Sequence, residues 1–141
     1  MTLRKLYDLI ESLVQNNINL KSFDSGTERM QNNSNSKLYP QVFLERPIMI
    51  ECEGDFETYK FAVLYLDMPT SITDNKSIIN SQSKMHQISN QCFVYLNDLI
   101  DINQLSKVTL EKAFSDQVTG LRVEYELKTV INVNPCELSE P

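Results

Sequence analysis

A single histidine, His86, limits the chemistry open to this chain. Any Ser-His-Asp or Cys-His arrangement has to route through it, and a metal site built from several histidines is excluded. His86 sits in the polar run SQSKMHQISNQ, where a solvated surface histidine is the expectation over a general base. Cys92 lies too far along the chain to share a helical face with it. The three cysteines, Cys52, Cys92 and Cys136, are widely spaced and odd in number. They suggest neither a disulfide scaffold nor a zinc cluster, and the expectation is reduced, mostly buried thiols.

Gly26, Gly54 and Gly120 are all isolated, so no glycine-rich phosphate cradle can be built. Asp116 with Glu126 and Lys128 faintly echoes the Asp and Glu-x-Lys pattern of metal-dependent nucleases, in which carboxylates hold a divalent cation and a lysine helps orient water. Asp116, however, falls in an expected hairpin turn, and Glu126 and Lys128 fall on the polar face of an expected strand. Glu51, Glu53, Asp55 and Glu57 form an acidic cluster without EF-hand spacing, which reads as a solvated turn. No catalytic, cofactor-binding or metal-binding residue is assigned.

The elements that would position a site are clearer. At 141 residues, one domain with one core is expected. The net charge of −6 lacks the basic footprint of a phosphate-gripping protein, although an acidic surface could line a path that DNA must slide through without sticking. No apolar run approaches a membrane span, and Asp8 and Glu11 interrupt the first apolar stretch, which argues against a cleaved signal peptide. Leu3 to Asn16 has helical periodicity, with Thr2 as cap. A short strand, Ile18 to Phe23, is expected next, then a polar loop, Asp24 to Ser36, whose composition should leave it mobile until a partner orders it.

Pro40 cannot donate to a sheet ladder and therefore marks the mouth of a strand, Gln41 to Glu45. Strands Ile48 to Glu53 and Glu57 to Asp67 follow, the latter apolar on both faces towards its end and so partly covered on both sides. Asn75 to about Ile100 reads as a long second helix, capped by Asp74 or Asn75, with its serines and glutamines on the outer face. Ser106 to Phe114 and Leu121 to Val133 form a closing hairpin around the turn SDQVTG. In its second strand Leu121, Val123, Tyr125 and Leu127 alternate with Arg122, Glu124, Glu126 and Lys128. The fold class expected is α+β, two helices packed on a mostly antiparallel sheet with a long C-terminal β-hairpin, followed by a loose tail from residue 134 to 141.

This order of elements, with the strand Tyr39-Pro40-Gln41-Val42-Phe43-Leu44-Glu45 and the terminal strand Leu121 to Pro135, resembles the tail-terminator and head-to-tail connector (neck) ring proteins of tailed bacteriophages. The resemblance implies a virion protein, assembled in the host cytoplasm, that forms a six- or twelve-membered homo-oligomeric ring with other phage neck or tail proteins. DNA would pass nearby without specific binding, with no membrane, no cofactor and no catalytic residues. A protein-binding adaptor is the alternative, and a small metal-dependent nuclease the third. The interface residues expected are Arg122, Glu124, Glu126 and Lys128 on the polar hairpin face, Val118 as an exposed apolar tip, and Arg29 in the polar loop.

Overall fold

In the computed structural model, which describes residues 1–27, 38–113 and 117–131, Thr2 opens the first helix by accepting from the Lys5 amide at 3.1 Å. Helix α1, Leu3–Asn16, buries Leu6, Ile10 and Leu13 on one stripe, as its apolar spacing requires. Strand β1 is Ser22–Gly26 and β2 is Gln41–Glu45. They pair in parallel, Ser22 opposite Gln41 through Gly26 opposite Glu45. The expected first strand was therefore placed too early: Ile18 is exposed, whereas Asp24, Ser25 and Gly26 belong to the sheet and not to the polar loop. Parallel neighbours need a long crossover, so the connection from Thr27 to Pro40 has a topological reason for its length. Arg29 and the rest of the expected loop up to Ser36 lie outside the described residues, as does the tail expected from residue 134 on.

The Tyr39–Pro40 peptide is cis, and the Pro40 carbonyl accepts from the Lys21 amide at 2.8 Å, so the ladder starts where the proline stops. Strands β3, Met49–Glu53, and β4, Phe56–Asp67, form a hairpin turning at Gly54, whose φ of 59° favours glycine. Helix α2, Asn75–Leu99, runs unbroken from the Asp74 cap. Strands β5, Ile102–Ala113, and β6, Val118–Val130, close the chain as the expected hairpin. The sheet order is β1-β2-β4-β6-β5, with β3 joining β4 beyond the end of β2. This is the α+β arrangement expected, two helices on a six-stranded, mostly antiparallel sheet.

Both helices lie on one face. Helix α1 sits over β1 and β2, and α2 over β4, β5 and β6. Between them and the sheet lies the core, including Val42 and Leu44 of β2, Phe61, Val63 and Tyr65 of β4, and Val123, Tyr125 and Leu127 of β6. The Tyr65 and Tyr125 hydroxyls are fully buried and share one hydrogen bond at 2.7 Å, and Tyr125 stacks on Phe61 at 5.5 Å. A Cβ at Gly120 would fall 1.9 Å from the Tyr65 carbonyl oxygen, so β6 passes β4 there at a distance only glycine permits.

The serines and glutamines of α2 meet expectation only in part: Ser83, Gln87 and Gln91 face outward. Ser77, Ser81, Gln82 and Ser89 are buried, not outward. Gln82 donates to the Leu110 carbonyl of β5 at 3.1 Å, and Ser77 accepts from the Ser71 amide at 2.9 Å. Ser89 donates to the His86 carbonyl of its own helix at 2.7 Å, so Ser77, Gln82 and Ser89 each have a partner despite their burial. No helix among the described residues is long and apolar enough to cross a membrane.

Candidate functional site

The residues whose chemistry could support catalysis are dispersed. His86 is exposed on α2, while Cys92, on a different side of the same helix, is buried, and burial pushes its thiol up to about 12. Such a thiol stays protonated near neutrality and is a poor nucleophile. Cys52 is exposed on β3, a correction to the expectation of mostly buried thiols, and Cys136 lies outside the described residues. It is exposed because β3 extends past both helices, with every residue from Met49 to Glu53 exposed. Glu126 and Lys128 stand on β6, but Asp116 lies outside the described residues. Glu51, Glu53 and Asp55 are exposed, and Glu51 pairs with Lys60 at 3.2 Å. No group of three or more His, Cys, Asp or Glu among the described residues is placed to hold a metal ion.

The candidate surface is the sheet face opposite the helices. The register places Phe43 and Glu45 of β2, Lys60, Ala62, Leu64 and Leu66 of β4, and Arg122 to Lys128 at alternate positions of β6 on this face. Its middle is charged. Arg122 forks onto Glu45, with Nε and Nη2 each 3.1 Å from a carboxylate oxygen, and Nη1 donates to Glu124 at 2.6 Å. The hydrogen bonds to Glu45 and Glu124 raise Arg122 and keep it ionised, and in return Arg122 holds the Glu124 carboxyl below its ordinary value. Lys128 lies over the Phe56 ring at 4.8 Å. Of the four expected interface charges, Arg122, Glu124 and Lys128 thus already have partners within the chain, and Glu126 makes no ion pair among the described residues.

At the Gly120 end the open face becomes apolar. Phe43, Leu64, Leu66 and Val118 form a second buried cluster, with Tyr39, Leu110 and Ala113 packed against it. This corrects the expectation for Val118: it is fully buried, not an exposed tip. Strand β6 begins at Val118, opposite Ala113, earlier than the alternation of Leu121 to Leu127 indicates, so the valine lies within the ladder and not at the turn. Sequence reading also missed Phe43, Leu110 and Ala113. The signal it did read, Leu64 and Leu66 making β4 apolar on both faces, agrees with their burial but does not say which residues meet them.

At the other end the sheet outruns the helices. Met49, Ile50, Phe56 and Val130 are between 37% and 58% exposed, on a projection formed by β3 and the ends of β4 and β6. The outer strands also differ. Strand β5 carries two register irregularities, at Gln104/Ser106 and Leu110/Ala113, which blunt its free edge, whereas β3 pairs with β4 without a shift. The arrangement offers ladder groups, apolar side chains and fixed ion pairs, a set suited to docking another polypeptide. Neither models of known protein families nor curated proteins give a match to the chain.

Proposed function

We propose that the chain is a structural virion protein of a tailed bacteriophage, a tail-terminator or head-to-tail connector subunit. It assembles into a six- or twelve-membered ring around the DNA conduit and joins neighbouring neck or tail proteins. The observation that carries this reading is the one-sided sheet: both helices cover one face, while the β3 projection and, opposite Arg122 on the other face, Val108 of β5 keep apolar side chains exposed. A ring closes through heterologous contacts between two different surfaces of one subunit, and this subunit has distinct surfaces at its β3 and β5 sides. The net charge of −6 suits a conduit from which DNA must not be held back. The reading assigns no catalytic residue and no cofactor.

Negative-stain imaging of the purified protein, alone and with virion neck components, tests it. Rings in either preparation are the expected result. Monomers in both would overturn the reading, and a monomer that captures a single protein would replace it with an adaptor.

A further inference from the structure

Strand β3 leaves part of the sheet edge open. The Asp55 carbonyl accepts from the Ile131 amide at 2.7 Å, so Asp55 and, by alternation, Glu57 and Tyr59 turn their backbone groups towards β6. Phe56, Thr58 and Lys60 therefore bond β3, through their register partners Glu53, Glu51 and Met49. The amides and carbonyls of Ile50 and Cys52 point the other way, out of the sheet edge, and bond no other backbone group among the described residues. The strand is exposed along its whole length and pairs with β4 without a shift, the condition in which an edge accepts a further strand. The side chains beside this edge are acidic. Glu51 is matched by Lys60 at 3.2 Å, whereas Glu53, Asp55 and Glu57 make no ion pair among the described residues.

We propose that β3 takes up, as an added strand, an extended lysine- or arginine-bearing segment of a different protein. The segment's backbone pairs with Ile50 and Cys52, and its cations stand against Glu53, Asp55 and Glu57. The described sheet edges of a second copy do not match this one. Two β3 strands that pair antiparallel through both Ile50 and Cys52 set Glu51 directly opposite Glu51, like charges across the closer, non-hydrogen-bonded kind of pair. Strand β1 brings another acid, Asp24. Strand β5 carries Lys107, but its two irregularities interrupt the edge. Charge complementarity therefore selects a basic strand from another chain. The addition runs in the plane of the sheet and leaves both faces of the β3 projection open, so it does not rest on the ring reading.

The test titrates a fluorescein-labelled peptide that alternates lysine with valine with the full-length chain, under reducing conditions and at physiological ionic strength, and reads anisotropy. Saturable binding is expected, with slower exchange of the Ile50 and Cys52 amides in the complex. Ile50→Pro removes an outward amide that β4 does not use, and should weaken binding about tenfold or more. Two further peptides test the parent chain without any substitution in it. The same peptide N-methylated throughout keeps its charge but loses its ladder donors, and one with glutamate in place of lysine keeps the donors but reverses the charge. Each should bind about tenfold or more weakly. Equal binding of the plain and N-methylated peptides would reduce the contact to electrostatic attraction and overturn the added strand. Equal binding of the glutamate peptide would overturn the choice of a basic partner. No saturable binding of the lysine peptide, or unchanged exchange at Ile50 and Cys52, would overturn the proposal as a whole.

Discussion

The two faces of the sheet use the same strands to opposite ends. On the helix side, Val63 and Tyr65 of β4 and Val123 and Tyr125 of β6 are fully buried beneath α1 and α2, and a change there is a change to the core. On the open side, their immediate neighbours belong to other groups: Leu64 to the small apolar cluster with Phe43, Leu66 and Val118, and Arg122 and Glu124 to an ion-pair triad with Glu45. One β-strand can serve two environments because successive side chains point to opposite faces. The covered face specifies the fold, and the open face is left available for contact.

The largest expected effect breaks the covered face. Tyr125→Asp removes the Tyr65 hydrogen bond and the Phe61 stack and buries an unpaired carboxyl, so loss of more than about 4 kcal/mol and an unfolded far-UV CD spectrum are expected. Ile10→Ala, under α1, should cost about 2–5 kcal/mol in urea denaturation. Val118→Asp brings the open-face cluster into the same comparison. Because Val118 is fully buried, its thermal midpoint should fall, with a loss of about 1–3 kcal/mol. A parent-like midpoint would return Val118 to a surface role.

Smaller effects sharpen the contrast. Arg122→Met should change stability by only about 0–1 kcal/mol at neutral pH, since the triad is partly exposed. Glu124 is held below its ordinary value, chiefly by the Arg122 hydrogen bond. The stability it contributes is therefore present above its unfolded-state value and lost as pH falls through the lower folded one. Denaturation midpoints measured across that acidic window should fall less steeply for Arg122→Met than for the parent. Ile50→Ser, on the β3 projection, should leave the monomer within about 0.5 kcal/mol of the parent while weakening assembly in sedimentation. Equal assembly by Ile50→Ser would remove the projection from the interface.

The covered face was the legible one. Periodicity in Leu3 to Asn16, alternation in Leu121 to Leu127, and Pro40 at the mouth of β2 each reflect a local rule, and the structure keeps all three. Features that depend on distant pairing were not legible. The polar stretch Asp24 to Gly26 joins the sheet because β2 lies beside it, overriding its composition. Val118 is buried because Phe43, Leu64 and Leu66 converge on it from β2 and β4. The buried Ser77 and Gln82 of α2 meet Ser71 and the Leu110 carbonyl of β5, tertiary partners that no helical period encodes. The candidate surface was only half visible: the alternating charges of β6 could be read, but Glu45, which fixes Arg122, lies far away in sequence.

In the proposed ring, the open face and the β3 projection join copies of this chain. Sedimentation velocity of the full-length parent across a range of concentrations tests it most directly. A dominant species of six or twelve times the 16.3 kDa chain mass, growing at the expense of monomer as concentration rises, is expected. A single 16.3 kDa species at every concentration would contradict it.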